Sequence, residues 1–133
     1  MVDANHAYTA QQAIAVGRRL EALHIAWFEE PVAPENLDGY CEVKRALAIP
    51  VAGGENIFTR FGFREVLRRR AMDILQPDCA VTGGISEVRR IAALANVHGV
   101  RCLPHVWGSS IGVAAALQVV AGLMPTPGGL APE

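Results

Sequence analysis

Five residues whose side chains can bind a metal ion or transfer a proton recur along the chain at nearly equal intervals. They are Asp3, Glu29, Glu55, Asp78 and His105. Successive members are 26, 26, 23 and 27 residues apart, which is close to the length of one strand, one helix and their loops. Each follows a short apolar run, as Glu29 does in the segment AWFEEPV at 26–32. The pattern predicts that all five stand just past the ends of successive strands.

The elements that would position these residues form five strand–helix units. Apolar runs predict strands at 1–3, 25–28, 49–52, 72–75 and 100–103. Thr9 and Gln12 form a T-x-x-Q capping box that opens the first helix. Further helices are predicted at 36–47, from 59 to the arginines at 68–70, from 85 to 98, and at 110–123. Short strands with few polar positions that alternate with helices form a parallel sheet, so the predicted fold class is α/β. The tail at 125–133, PTPGGLAPE, is expected to be turn-like and frayed.

Composition places the chain among ordinary globular domains. Its 133 residues suit one domain, and 51% apolar content supports a sizeable core. The net charge of −1 gives no bulk attraction to nucleic acid or to a membrane surface. No apolar stretch is long enough to span a bilayer. Residues 1–8 lack the basic segment and apolar core of a signal peptide, so a cytoplasmic location is expected. Three cysteines without C-x-x-C spacing indicate free thiols in a reducing compartment.

The three acids of the first three units predict a metal site. Because the loops after parallel strands meet at one edge of the sheet, Asp3, Glu29 and Glu55 would lie close together. Carboxylates about 4 to 5 Å apart in a partly dry site repel each other strongly. A hard divalent cation removes that repulsion, and oxygen-only ligands favour Mg²⁺ or Mn²⁺. A single acid at a strand end is more simply explained as a helix cap or a solvated charge, but three at this spacing favour a cation.

The last two members of the series predict a base. A carboxylate beside an imidazole orients the ring and stabilises its protonated form, so Asp78 and His105 are candidate partners in general-base catalysis. His24 and His98 lie at predicted helix ends and need no catalytic role. His6 lies near Asp3 and is a candidate substrate contact. Trp107 follows His105 and is expected to pack against the protein.

Five motifs carry a resemblance to a known family. They are VDAN, WFEEPV, GGEN, LQPD with TGG after it, and PHVWG. Together, and in this order along nearly the whole chain, they resemble the mandelate racemase/muconate lactonizing enzyme subgroup of the enolase superfamily. The resemblance implies a part of the C-terminal TIM (β/α) barrel, from its third to its seventh strand, with the N-terminal capping domain absent over 1–133. It implies that Asp3, Glu29 and Glu55 bind Mg²⁺, that His105 is the base with Asp78 as its partner, and that Asn5 lies near the metal and the substrate.

The same resemblance implies an activity. In this subgroup a base removes the proton alpha to the carboxylate of a sugar acid or aldarolactone, the resulting ene-diolate is stabilised by Mg²⁺, and elimination follows. The wording of the motifs is closest to dehydratases and cycloisomerases that act on aldaric acids or their lactones. Two family features are missing: the lysine motif of the second strand, since Lys44 on a predicted surface helix is the only lysine, and the acid of the eighth strand.

Two other interpretations stay open. Five of eight barrel strands would leave two open edges, which invite association, so the chain could be a non-catalytic half-barrel that self-associates, and a homo-oligomer is expected in either case. Five units in this length also suit a doubly wound Mg²⁺-binding module such as a phosphoacceptor receiver. That module requires a phosphoacceptor Asp and a late Lys, whereas this chain has Glu55 in the third unit and no lysine after Lys44. The expected partner is a small carboxylate substrate, and binding to nucleic acid or to a membrane is not expected.

Overall fold

The computed structural model describes residues 1–124 and contains a five-stranded parallel sheet whose strand order follows the chain. The strands are β1 (Val2–Asp3), β2 (Phe28–Glu29), β3 (Val51–Gly53), β4 (Ile74–Leu75) and β5 (Arg101–Cys102). The predicted α/β class and the parallel sheet are confirmed. The strands are shorter than predicted, and β2 and β3 each end one residue later than predicted, at Glu29 and Gly53. The tail that was expected to be turn-like, 125–133, lies outside the described residues.

Helices connect the strands in the predicted order. They are α1 (Ala10–Leu20), α2 (Leu37–Ala46), α3 (Thr59–Arg69), α4 (Cys79–Thr82), α5 (Ile85–Val97) and α6 (Ser110–Ala121), with a 3-10 helix (Glu21–Leu23) after α1. The capping box is confirmed: the Thr9 hydroxyl accepts the Gln12 N–H, and the Gln12 side chain accepts the Thr9 N–H at 3.0 Å. Helix α4 lies in a segment that was predicted to be loop. None of the helices between residues 1 and 124 has the length and hydropathy needed to cross a bilayer.

The register of the sheet separates the core from the site. Paired residues of neighbouring strands project from the same face, and adjacent residues of one strand project from opposite faces. Phe28 pairs with Val51, and both are fully buried in the core that the sheet forms with the helices. Asp3 pairs with Glu29 one position later, so these two acids share the opposite face. The sheet therefore keeps its apolar face against the helices and presents its acids on the other.

Glu87, near the start of α5, links that helix to α3. Its carboxylate accepts the backbone N–H of Arg60 at 2.8 Å and contacts the guanidinium groups of Arg60 at 2.7 Å and Arg90 at 3.1 Å. The Arg60 N–H lies in the first turn of α3, where no carbonyl of the same helix can accept it. The bond from this N–H, together with the two arginines, lowers the pKa of Glu87. A side chain of α5 thus caps the amino-terminal end of α3.

Glu87→Gln is expected to lower the thermal unfolding midpoint at pH 7 and to weaken its dependence on acid. Since the pKa of Glu87 is lower in the folded state than its ordinary 4.5, its stabilising contribution is full above pH 4.5 and is lost as the pH falls through the folded value. Melting curves of the variant and the unmodified protein should therefore converge in acid. Glu42→Gln, an exposed acid on α2, is the matched control. Indistinguishable midpoints for the two variants at pH 7 would contradict the prediction.

Candidate active site

The first two predicted metal ligands stand side by side. Asp3 and Glu29 are register partners at the ends of β1 and β2, where neighbouring strands are about 4.8 Å apart. Asp3 is exposed and its Oδ1 accepts the Asn5 N–H at 2.8 Å. Glu29 is 4% exposed, and its Oε2 accepts the indole N–H of Trp27 at 2.8 Å. The two carboxylates are therefore oriented by groups of their own segments.

The third predicted ligand, Glu55, follows β3 after a tight turn. Gly54 has φ 121°, and a Cβ there would lie 2.8 Å from the ring of Phe63, so only glycine fits the turn without displacing that core side chain. Glu55 Oε2 lies 3.2 Å from Nε2 of His105. Burial raises the pKa of Glu55; His105 opposes this rise, and the charges of Asp3 and Glu29 add to it. The structure thus brings Glu55 within the electrostatic reach of both other acids.

Asp78 and His105 are in direct contact. Asp78 Oδ2 lies 2.8 Å from His105 Nδ1, and the two residues form a parallel bridge that extends the pairing of β4 and β5. Asp78 is 4% exposed, and its Oδ1 accepts the Ala80 N–H at the start of α4. This contact favours the tautomer in which Nδ1 donates its proton to Asp78. In that tautomer the other ring nitrogen, Nε2, which faces Glu55, carries the lone pair.

The three predicted metal ligands are not gathered around one point in the described part of the chain. Between residues 1 and 124, no group of three or more His, Cys, Asp or Glu side chains is arranged so that it could hold a metal ion. The contacts described above turn Asp3, Glu29 and Glu55 toward Asn5, Trp27 and His105, respectively. Each contact engages one oxygen of its carboxylate and leaves the other for a cation. These oxygen donors are of the kind that a divalent cation prefers, but in the described part of the chain they do not converge on one point.

The predicted substrate contacts lie in the loop after β1. Asn5 and His6 are both exposed and both have left-handed backbone angles, φ 45° and 50°. His6 Nε2 lies 3.9 Å from Glu30 Oε2. The expectation that Trp107 packs is wrong: its side chain is 84% exposed, because residues 1–124 place no element over the loop that precedes α6.

Sequence reasoning did not single out several buried polar groups near these residues. Glu30 is 1% exposed, and its carboxylate contacts Asn56. In the part of the chain described, the Tyr40 hydroxyl and Gln76 Oε1 are buried without a hydrogen-bond partner. Burial raises the pKa of Tyr40, and the charge of Glu30 raises it further. The signal for Glu30 in the sequence was a second acid directly after Glu29 in the apolar segment AWFEEPV.

Comparison with known proteins identifies the family. The model of enolase C-terminal domain-like proteins matches residues 1–127. The chain belongs to this family. The resemblance that its motifs carry, to the enolase superfamily and to its sugar-acid dehydratases and cycloisomerases, is therefore confirmed.

Relatives of this enolase-type domain are enzymes. The chain is 52% identical to D-galactarolactone cycloisomerase of Agrobacterium fabrum over 96% of its own length and 34% of that protein. It is 43% identical to arabinonate dehydratase of Saccharolobus solfataricus over 92% of its length and 33% of that enzyme. The crystal structure of 3,6-anhydro-D-galactonate cycloisomerase from Zobellia galactanivorans matches with a TM-score of 0.90 at 43% identity, covering 92% of this chain and 35% of that one. The chain thus spans about a third of the relatives it matches.

Proposed function

We propose that this enolase-type domain supplies the cation ligands and the base of an enzyme that removes the proton alpha to the carboxylate of a sugar acid or its lactone. Elimination of a β-substituent from the resulting ene-diolate would then complete the reaction, as a dehydratase or a cycloisomerase. The names of its relatives, a galactarolactone cycloisomerase and an arabinonate dehydratase, support this class of substrate.

One observation carries the proposal: His105 lies between two acids that have different tasks. Asp78 holds the ring through Nδ1 at 2.8 Å, which leaves Nε2 as the atom that accepts the substrate proton. Nε2 is 3.2 Å from Glu55, so the base and a proposed cation ligand open into the same space. A substrate carboxylate bound beside Glu55 would bring its alpha carbon next to Nε2.

The remaining residues would bind the cation and the substrate. Asp3, Glu29 and Glu55 would hold Mg²⁺, or Mn²⁺ in its place, and when bound the ion supplies positive charge that polarises the substrate carboxylate. Asn5 and His6, exposed in the loop after β1, are proposed to contact polar groups of the substrate. Glu29 is nearly buried and Asp3 is exposed, so the proposed cation would lie at the boundary between the protein and solvent.

The test is solvent exchange at the alpha carbon. The protein is incubated in D₂O with galactarolactone, arabinonate or galactonate, with Mg²⁺ or with a chelator, and proton NMR follows both the alpha proton and the products. We expect Mg²⁺-dependent loss of the alpha proton from at least one of these compounds. If the Mg²⁺-loaded protein neither exchanges that proton nor forms a product from any of them, the proposal fails.

A second candidate is a non-catalytic half-barrel that self-associates. β1 and β5 are the outer strands of the sheet, and β5 of one copy could pair in parallel with β1 of a second. Exposed apolar side chains on α6 favour this, since Ile111 is 79%, Leu117 61% and Val120 52% exposed. Sedimentation of the samples used in the exchange experiment decides between the candidates. An oligomer that shows no exchange of the alpha proton favours the non-catalytic half-barrel.

A further inference from the structure

Glu30, the second glutamate of WFEEPV, is a buried acid whose position the proposed reaction does not explain. Its side chain is 1% exposed, and a carboxylate in such a position is costly. Its contacts are the neutral amide of Asn56 and the imidazole of His6. Burial raises the pKa of Glu30, and the charge of Glu55 raises it further. An acid kept under these conditions requires a compensating role.

The contacts of Glu30 join two loops. Asn56 Nδ2 lies 3.2 and 3.4 Å from its two carboxylate oxygens, and Asn56 directly follows the proposed ligand Glu55. On the other side, the His6 N–H donates to the Glu30 carbonyl at 2.7 Å, and His6 Nε2 lies 3.9 Å from the carboxylate. His6 is three residues beyond Asp3. Glu30 therefore connects the loop of one ligand with the loop of another.

The backbone around this carboxylate is held in a costly conformation. Asn5, His6 and Glu30 have φ values of 45°, 50° and 37°, in the left-handed region that side chains other than glycine seldom occupy. Such residues are energetically unfavourable and persist only where surrounding contacts hold them. The His6 N–H, which donates to the Glu30 carbonyl, joins two of these positions, and the Asn5 N–H donates to Asp3.

We propose that Glu30 is a positioning residue, whose carboxylate holds the loop after β3 through Asn56 and so sets the position of Glu55. Its backbone carbonyl, which accepts the His6 N–H, ties the same residue to the loop that follows Asp3. Glu29 is the proposed ligand of this pair, and its neighbour Glu30 is the proposed positioning residue. The inference rests on the proposed function, since it takes Asp3, Glu29 and Glu55 to be ligands of one cation.

The test measures Mn²⁺ affinity by electron paramagnetic resonance of the free ion, without substrate. Glu30→Gln keeps the size of the side chain and removes its charge, Asn56→Ala removes the other half of the contact, and the double variant removes both. We expect each single variant to bind Mn²⁺ about 10- to 100-fold more weakly, the usual effect of losing a group that orients a ligand. The double variant should be no weaker than the worse single one, because both act through one contact. Glu42→Gln, an exposed acid on α2, should bind as the unmodified protein does.

The outcomes separate this inference from the proposed function. If the unmodified protein binds Mn²⁺ and both single variants bind it equally well, the inference is overturned while the proposed function stands. A loss in Glu30→Gln without a loss in Asn56→Ala also overturns it, because the effect would then be that of charge alone. If the unmodified protein binds no Mn²⁺, the proposed function fails, and the inference that rests on it fails as well. Should Glu30→Gln unfold, as circular dichroism would show, Asn56→Ala still decides, since Asn56 is an exposed residue.

Discussion

Glu55→Gln is expected to abolish turnover while leaving the fold at least as stable as before. The variant keeps the shape of the side chain but removes the charge that the proposed cation requires, so we expect a loss of about 10³-fold or more in kcat. Burial and the charges of Asp3 and Glu29 raise the pKa of Glu55. At neutral pH its ionised form therefore disfavours folding in the absence of metal. Removing that charge should raise the unfolding midpoint of the metal-free protein or leave it unchanged.

Three measurements check this prediction: turnover with Mg²⁺, Mn²⁺ affinity, and thermal unfolding in the presence of a chelator. Glu35→Gln removes an exposed acid from the loop after β2 and should change none of them. Retained turnover with an unchanged Mg²⁺ requirement would show that Glu55 is not a ligand. A metal-free variant that melts well below the unmodified protein would contradict the electrostatic account, even if activity were lost.

His105→Asn is expected to remove proton exchange at the alpha carbon without removing cation binding. General-base catalysis contributes about 10²- to 10⁴-fold, so kcat should fall by that factor when Nε2 is lost. None of the three proposed cation ligands is changed, and Mn²⁺ affinity should stay within a few-fold of the original. The measurements are deuterium exchange by NMR and Mn²⁺ affinity on the same samples. A variant that still exchanges the alpha proton at the original rate would assign the base to another group.

Asp78→Asn tests the other half of the same pair. Asparagine preserves the bond to the Ala80 N–H, because it caps helices about as well as aspartate. It replaces the carboxylate beside His105 Nδ1 with an amide, which favours the wrong tautomer of the ring and does not stabilise its protonated form. Exchange of the alpha proton should therefore be slowed in Asp78→Asn, as it is expected to be in His105→Asn. Helix α4 and the unfolding midpoint should be retained. Wild-type exchange in this variant would contradict the proposed orientation of the ring.

Local sequence signals predicted the order of the elements and the location of the acids. The capping box of Thr9 and Gln12 needs only residues three apart, so it could be recognised from the sequence and is present in the structure. The spacing from Asp3 to His105 predicted successive strand ends, since a parallel sheet repeats with each strand–helix unit. The five motifs and their order along the chain identified the family, which the match over residues 1–127 confirms.

The sequence by itself thus determined which residues reach one edge of the sheet, because chain order and strand direction are enough for that. Only the tertiary structure decided how they are held there. It turned Glu55 toward His105, buried Glu30 between two loops and left Trp107 exposed. Each of these outcomes depends on contacts between segments more than 20 residues apart or on the absence of a covering element within residues 1–124. Periodicity along the chain carries no information about such contacts.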